Sequence, residues 1–253
     1  MEIIMAVLVL GATGATGQCV VQDLLDNGQS VIALVRHIKL NTHPLLEQIQ
    51  GTVLSLDDSA LTKILSQVDS VISCLGHNMT LKGIYGAPKM LVRDSLKHLC
   101  QLEKRNHTQT SRTKPLKVIL MNSTGNRNLD LAEPVSISQH IVLSLIRNLV
   151  PPHLDNERAA NYLRCELNRD KDIEWVVVRP DSLIDKESIS GYRLSPSPTR
   201  SAIFNAGQTS RINAANFMAR LSREIGLFDY WKGKMPVIYN DKNQVYANIK
   251  QAA

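Results

Sequence analysis

Short apolar runs alternate along the chain with longer segments in which apolar residues recur at helical spacing. The short runs are rich in β-branched residues, which predicts strands at residues 3–10, 30–35, 52–54, 70–75, 116–121, 175–178 and 236–239. The longer segments predict helices at residues 16–26, 59–66, 88–104, 135–149, 156–168 and 214–225. Strands that alternate with helices are typical of βαβ units. We therefore expect an α/β fold with a doubly wound parallel sheet of the Rossmann type.

The pattern is not interrupted by an internal repeat or a long low-complexity segment, so residues 1–253 are expected to form a single domain. The C-terminal part is expected to form a substrate-side lobe over the carboxyl edge of the sheet. Apolar residues make up 43% of the chain, which is enough to build a buried core. The four cysteines are widely spaced, which favours reduced thiols over a disulfide framework or a zinc site.

The N-terminal apolar run carries Glu2 and leads directly into a glycine-rich segment, which is typical of a buried first strand rather than a signal peptide. No apolar stretch of the sequence reaches the roughly 18 residues that a membrane span requires. The net charge is +6, but the densest basic stretch, residues 104–117, lacks the interleaved aromatic residues of single-strand binders. We expect a soluble, cytoplasmic protein without a membrane partner. Binding of nucleic acid is disfavoured, although the charge permits it.

A glycine-rich motif follows the first predicted strand directly and reads GATGATG, from Gly11 to Gly17. Between a strand and a helix, Gly11 permits a tight turn, Gly14 lets the backbone approach a pyrophosphate, and Gly17 allows close packing of the helix. The N–H groups that begin the helix would then face the phosphates. Gln18 stands where an ATP-type P-loop needs lysine, which excludes that site. The motif therefore predicts a dinucleotide site.

The end of the second predicted strand indicates which dinucleotide is bound. NAD sites usually carry Asp or Glu about 20 residues past the glycines, where the carboxylate holds the ribose 2′-hydroxyl. Here the strand reads SVIALVR and ends at Arg36, with His37 and Lys39 nearby. A guanidinium matches phosphate geometry with two parallel hydrogen bonds. We therefore predict that NADP(H) is preferred over NAD(H); a solvated arginine at a strand end is the alternative.

Several segments taken together resemble the atypical short-chain dehydrogenase/reductases, in their NmrA-like and flavin/biliverdin reductase branch. The GATGATG motif resembles the opening motif of that branch, and ALVR resembles the end of its second strand. Later segments resemble its fourth, fifth, sixth and final strands and read DSVISCLG, VILMNSTG, VVVRPDSLI and MPVIYN. The resemblance covers most of the chain and implies a Rossmann fold that binds NAD(P).

The chain departs from this family at two places. Family members carry Asp after the third strand to contact adenine, whereas ungapped spacing places Leu54 there. The catalytic Tyr-x-x-x-Lys of the larger superfamily is expected beyond the fifth-strand serine, where residues 135–147 contain neither residue type. One such pattern, Tyr85 to Lys89, follows the fourth strand and contains a proline that would disturb a helix. These departures weigh against sugar epimerase and ordinary alcohol dehydrogenase chemistry.

The resemblance implies that Ser123 is the serine beside the nicotinamide, with a role in catalysis through positioning and hydrogen bonding rather than proton abstraction. A serine that only satisfies the backbone at a strand end is the alternative. Asn161 lies near a position where these reductases can carry histidine, and an amide cannot act as an acid. Proton delivery stays open between Tyr162, His153 and water.

The predicted cofactor site combines the glycine turn with residues that follow other strands, because open α/β sheets bind ligands beyond the carboxyl ends of their strands. Pro180 is included because it fixes the turn after the sixth strand. The site comprises Gly11, Thr13, Gly14, Ala15, Thr16, Gly17, Arg36, Leu75, Gly76, Asn122, Ser123 and Pro180.

These features predict an NADP(H)-dependent oxidoreductase that passes hydride to a small planar acceptor such as a flavin, a quinone or a tetrapyrrole. The missing Tyr–Lys pair leaves a second hypothesis, a non-catalytic NmrA-like redox sensor that binds NADP(H) and changes partners.

The helix predicted at 135–149 carries an apolar stripe formed by Ile137, Ile141, Leu145 and Leu149. The stripe predicts a helix that packs over the carboxyl edge of the sheet or against a second subunit, with an ordinary core-facing helix as the alternative.

Overall fold

The computed structural model describes residues 5–37, 40–77, 80–106, 114–133, 136, 138, 142, 144–145, 147 and 149–241. The strands are β1 (Ala6–Leu10), β2 (Val31–Val35), β3 (Leu46–Gln50), β4 (Val68–Ser73), β5 (Leu116–Met121), β6 (Ile173–Pro180), β7 (Ser182–Ile184), β8 (Tyr192–Ser195), β9 (Gln208–Ser210) and β10 (Val237–Asn240). Eight of them form one sheet in the order β3-β2-β1-β4-β5-β6-β10-β8. All neighbours in it run parallel except β10 and β8. This arrangement confirms the predicted doubly wound sheet.

Helices connect the strands on both faces of the sheet. They are α1 (Ala15–Asp26), α2 (Asp58–Leu65), α3 (Leu81–Tyr85), α4 (Leu91–Asn106), α5 (Pro151–Asn161), α6 (Arg211–Arg223) and α7 (Ile225–Trp231). A π-helical segment, Tyr162–Glu166, continues directly from α5. The small strands β7 and β9 pair in parallel as a separate two-stranded sheet. No helix in the described part of the chain is both long enough and apolar enough to cross a bilayer.

The two faces of the sheet bury different side chains of the same strand. In β1, Val7 and Val9 pack with residues of α1 and α6, whereas Leu8 and Leu10 pack with residues of α2, α4 and α5. Successive residues of a strand point to opposite faces. A strand that is covered on both faces therefore needs an unbroken apolar run such as AVLVL, and all five residues of β1 are buried.

The third strand is where the sequence prediction was wrong. We predicted the third strand at residues 52–54, but it is β3 and ends at Gln50. Residues 52–54 belong to the turns that follow it. The sequence of β3 is LEQIQ, with two exposed and three half-buried residues. It forms the edge of the sheet and pairs only with β2 in this region. An edge strand exposed to solvent keeps polar residues, so its apolar signal is weak.

Several helices also differ from their predicted bounds; α4 begins three residues later than predicted, after Pro88, and α6 begins three residues earlier. The helix predicted at 156–168 begins five residues earlier, with prolines in its first turn. An N–H group in the first turn has no intrahelical acceptor, so proline costs no hydrogen bond there. In the segment predicted as a helix at 135–149, the described residues 138, 142, 144, 145, 147 and 149 are helical. Ile137 and Ile141 of the apolar stripe lie outside the described residues, whereas Leu145 and Leu149 are exposed.

Candidate functional site

The turn after β1 is built from glycines because its backbone is too crowded for side chains. Gly11 has a φ of +71°, in the left-handed region that favours glycine. A Cβ on Gly11 would lie 2.6 Å from the carbonyl oxygen of Cys74, which follows β4. A Cβ on Gly17 would lie 2.1 Å from the carbonyl oxygen of Gly11. Both contacts are closer than real Cβ atoms allow, so the turn requires glycine at both positions.

The same turn presents the beginning of α1 without a capping side chain. Gly14 is the N-cap residue, its N–H donates to the carbonyl oxygen of Gly11 at 3.0 Å, and the first turn of α1 carries no acidic residue. The first N–H groups of a helix have no intrahelical acceptor. Gly14 and Ala15 are exposed, Thr13 is half-buried, and Thr16 is buried. The turn is therefore a surface cradle of backbone donors, which is suited to phosphate.

The chain after β4 lies against this cradle. The N–H of Cys74 donates to the carbonyl oxygen of Leu10 at 2.9 Å, and a Cβ on Gly11 would lie 3.0 Å from the amide nitrogen of Leu75. Gly76 has no atom within 4 Å of the position that a Cβ would take, and it is exposed. The structure therefore brings Gly11, Leu75 and Gly76 together, with open space in front of Gly76.

Arg36 follows β2 at the carboxyl ends of the parallel strands, where the glycine turn after β1 also lies. Its side chain is exposed, as is that of His37, whereas Lys39 lies outside the described residues. The strand before it is buried along its whole length, so Arg36 is the point at which β2 reaches solvent. The pairing of Leu10 with Leu34 places the ends of β1 and β2 side by side. Arg36 and the glycine turn therefore share one edge.

On the other side of β4, the segment after β5 is held by hydrogen bonds between side chains and backbone. The amide Nδ2 of Asn122 donates to the carbonyl oxygen of Asn156 in α5 at 2.9 Å. Its Oδ1 accepts from the N–H of Ser123 at 2.8 Å. Pro180 ends β6, and its carbonyl oxygen accepts from the N–H of Thr124 at 3.1 Å. Ser123 is half-buried and points its hydroxyl toward the space beside Gly125.

A buried ion pair, Arg179–Glu133, anchors the far end of this loop. The guanidinium of Arg179 in β6 meets the Glu133 carboxylate at 2.7 and 3.1 Å, and both side chains are at most 2% exposed. The guanidinium also donates to the carbonyl oxygens of Asn126, Pro196 and Met235. Bidentate pairing with further hydrogen bonds is what burial of two charges requires. The sequence analysis placed Arg179 only within the sixth strand and did not identify Glu133.

Asp155 on α5 is a second buried carboxylate that the sequence analysis missed. It lies 2.8 Å from Nε2 of His77, which follows Gly76, and it accepts from the N–H groups of Val92 and Arg93 at 2.8 and 2.9 Å. The Nδ1 atom of His77 lies 3.1 Å from the carbonyl oxygen of Gly83. Asp155 thereby joins α5, the first turn of α4 and the chain after β4.

A cavity of about 270 Å³ opens between the loop after β5 and α5. Within the described residues, two buried polar atoms of residues in its wall have no hydrogen-bond partner, namely Oδ1 of Asn126 and Nε of Arg127. Such groups cost free energy, typically about 1–3 kcal/mol each, unless water or a ligand satisfies them. The cavity is lined by Gly125, Asn126, Arg127, Leu129, Ser144, Arg147, His153, Glu157 and Asn161.

The candidate proton donors differ in whether their side chains line this cavity. His153 lines it, and burial lowers the pKa of its imidazole below the ordinary value of 6.5. Tyr162 is buried in the core with Lys97 over its ring, and burial raises the pKa of its hydroxyl well above the usual range. Asn161 lines the cavity and accepts from Arg164. Of the two named side chains that can give a proton, only His153 lines the cavity.

The Tyr85 to Lys89 pattern does not form a catalytic pair on one helix. Tyr85 is the last residue of α3 and Lys89 lies in the turns before α4. The Tyr85 hydroxyl donates to the carbonyl oxygen of Leu149 at 3.2 Å. No group of three His, Cys, Asp or Glu side chains within the described ranges is placed to hold a metal ion.

The sequence profile of the NAD(P)H-binding family matches residues 11–224, from the glycine turn to the end of α6. The chain belongs to the NAD(P)H-binding family. A comparison of this NAD(P)H-binding protein with curated protein sequences gave no match. The glycine cradle, which a single Cβ would fill, and the uncapped first turn of α1 fit the phosphates of such a cofactor.

Solved structures with the same fold include three from bacteria. An oxidoreductase from Lactococcus lactis has a TM-score of 0.64 at 15% identity and covers 94% of this chain and 92% of its own. A protein from Streptococcus pneumoniae assigned as an NADH-flavin reductase has a TM-score of 0.62 at 17% identity, with 94% and 100% covered. A short-chain dehydrogenase/reductase (wide type) from Veillonella parvula, in complex with NADP, has a TM-score of 0.64 at 14% identity, with 96% and 97% covered.

The family profile confirms the NAD(P)-binding family that the resemblance implied, and these neighbours share the fold of the chain. At such low identities the structural likeness itself shows a shared fold. The NAD(P)H-binding protein therefore combines this fold with a glycine cradle and a cavity at one edge of the sheet.

Proposed function

We propose that this protein is an NADP(H)-dependent oxidoreductase that passes hydride to a planar acceptor such as a flavin, a quinone or a tetrapyrrole. The observation that carries the proposal is the position of the cavity. It opens beside Gly125, four residues after β5 ends, at the same edge of the sheet as the glycine cradle after β1. Open α/β sheets bind their ligands beyond this edge, where the strand order reverses. A cofactor that begins at the cradle has its reactive end toward the cavity.

The cofactor site in this proposal extends over five neighbouring strand ends, those of β2, β1, β4, β5 and β6. Backbone N–H groups of the glycine turn bind the pyrophosphate, and the chain after β4 and β5 lies along the rest of the cofactor. Nicotinamide supplies a hydride when bound, and the protein supplies alignment and exclusion of water. The residues are Gly11, Thr13, Gly14, Ala15, Thr16, Gly17, Arg36, Leu75, Gly76, Asn122, Ser123 and Pro180.

The preference for NADP(H) rests on Arg36 and on the absence of a carboxylate at the end of β2. A carboxylate there would bind a 2′-hydroxyl and repel a 2′-phosphate, whereas an exposed guanidinium binds the phosphate. Because Arg36 is exposed, added salt should weaken this preference by screening the charge.

Ser123 is proposed to position the nicotinamide or the acceptor. Its hydroxyl faces the space beside Gly125, and its backbone is fixed by Asn122. Within the described residues no histidine forms a hydrogen bond with Ser123, so a role as a nucleophile has no support.

A titration with NADPH and NADH, followed by a panel of flavins and quinones, tests the whole proposal. Tighter binding of NADPH and its steady oxidation with at least one acceptor are expected. Binding of NADPH without oxidation by any acceptor would favour the sensor hypothesis. If neither nucleotide bound, the proposal would fail.

A further inference from the structure

We propose that His153 is the catalytic acid of the acceptor cavity and gives the acceptor the proton that accompanies the hydride. This inference rests on the proposed function. In a two-electron reduction, NADPH, one oxidised acceptor and one proton become NADP⁺ and the reduced acceptor. The hydride comes from the nicotinamide and the proton comes from the His153 imidazolium. Solvent then protonates the neutral imidazole that is left.

The first argument is the position of the imidazole. A Cβ on Gly125 would lie 3.3 Å from Cε1 of His153 and 3.4 Å from Oγ of Ser123. Both side chains therefore face the space beside Gly125, which lines the cavity together with His153. A ligand that reaches the Ser123 hydroxyl beside Gly125 also comes within reach of the imidazole.

The second argument is that the ring of His153 is free to act. Among the described residues, neither of its ring nitrogens has a hydrogen-bond partner, and its backbone N–H is bound by Val150. His77 differs, because one ring nitrogen meets Asp155 and the other meets Gly83. His98 meets Asp58 on α2. A catalytic acid must offer its proton to the substrate, and no residue in the described part of the chain holds the His153 ring in a hydrogen bond that would retain it.

The third argument is the charge around the ring. Glu157 on α5 and Arg147 form an ion pair at 3.0 Å beside His153, and Arg127 lines the opposite loop. Burial lowers the pKa of His153, Arg147 lowers it further, and Glu157 opposes both effects. Because the acid form is the active one, turnover should fall as the pH rises through a pKa below 6.5.

Histidine titration by NMR tests the inference without turnover. Wild type and His153→Gln identify the His153 signal, and its midpoint is then measured with NADP⁺ or with adenosine 2′,5′-bisphosphate, which has no nicotinamide. The positive ring of NADP⁺ should lower the His153 midpoint by about one unit, because a like charge nearby disfavours protonation. The bisphosphate, which lacks the positive ring, should leave the His153 midpoint unchanged.

Steady-state kinetics give the second readout, with His98→Gln as the matched control. His153→Gln should bind NADPH like the wild type, lose about 100-fold in kcat for the acceptor below pH 6.5 and lose the fall of kcat with rising pH. His98→Gln should keep the wild-type kcat and the wild-type pH profile. Failure of the wild type to bind NADPH overturns the proposed function itself. If NADPH binds, an unshifted His153 midpoint or an unchanged pH profile in His153→Gln overturns this inference alone.

Discussion

The glycine turn, residues 11–17, and the cavity loop, residues 122–133, lie at the same edge of the sheet but are held in opposite ways. The turn uses backbone contacts between residues that are close in sequence, such as Gly11 and Gly17. The cavity loop uses buried side chains whose partners lie far along the chain. Glu133 meets Arg179, 46 residues away, and Asn122 meets Asn156, 34 residues away.

This difference indicates which residues of the site tolerate substitution. A cradle of backbone donors serves any pyrophosphate and needs only small residues, so its sequence is constrained by space. The cavity loop needs complementary charges and amides, and Arg127 adds to this anchor by donating to the carbonyl oxygen of Glu133. Leu129 also lines the cavity, but it is exposed and can vary without breaking those pairs.

The largest expected effect comes from breaking the Arg179–Glu133 pair. Glu133→Ala leaves a buried guanidinium without its counter-charge, which should lower the free energy of unfolding by about 3–5 kcal/mol. Glu174→Ala is the control, because its pair with Lys232 lies at the surface, is only half-buried and should be worth about 1 kcal/mol or less. Denaturant unfolding measures both. Equal losses in the two variants would show that the buried pair does not anchor the loop.

The next effect tests the glycine turn. Gly17→Ala places a Cβ against the carbonyl oxygen of Gly11, which should cost about 3 kcal/mol of stability and abolish NADPH binding. Gly226→Ala in α7 meets open space and should raise stability by about 0.5–1 kcal/mol through helix propensity. Calorimetry and cofactor titration report the two quantities. A Gly17→Ala variant that still bound NADPH normally would mean that the turn tolerates rearrangement.

Arg36→Ala should affect the cofactor and leave the fold intact. One hydrogen-bonded charge contributes about 1.5–3 kcal/mol, so NADPH should bind roughly 10- to 150-fold more weakly while NADH is unaffected. Arg105→Ala on α4, another exposed arginine, should change neither affinity. If Arg36→Ala weakened both nucleotides alike, Arg36 would have a structural role and the preference for NADPH would lie elsewhere.

The smallest expected effect is that of Ser123→Ala. A neutral hydrogen bond contributes about 0.5–1.5 kcal/mol, so turnover of an acceptor should fall roughly 2- to 13-fold while NADPH binding changes little. Ser66→Ala at the end of α2 removes a hydroxyl that bonds only locally and should leave kinetics unchanged. No change in turnover for Ser123→Ala would leave Ser123 as a residue that only satisfies the backbone.

The sequence allowed prediction of features that depend on neighbouring residues. The run AVLVL predicted β1 because both of its faces are buried, and GATGATG predicted the cradle because its contacts are local. The sequence could not reveal β3, because LEQIQ is an edge strand with few apolar residues. It also could not identify Glu133 or Asp155, since a carboxylate looks the same in sequence whether its partner is water or a buried group.

One sequence signal pointed to the buried network without identifying it. Arg179 stands in the apolar run VVVRP, and a charged residue in a strand covered on both faces requires a partner. The pattern predicts that such a partner exists. Which of the 23 acidic residues fulfils this role depends on how the loop folds back, which local periodicity does not encode.

Asp155 links the wall of the cavity to the chain that follows the glycine cradle. Its carboxylate accepts from the amides of Val92 and Arg93 and meets His77, so displacement of α5 would remove hydrogen bonds from the first turn of α4 and from the chain beside Gly76 at once. We therefore expect hydrogen exchange at the Val92 amide to report on the position of α5, although this amide belongs to another helix. A nucleotide that tightens the chain after β4 should slow that exchange without touching Val92.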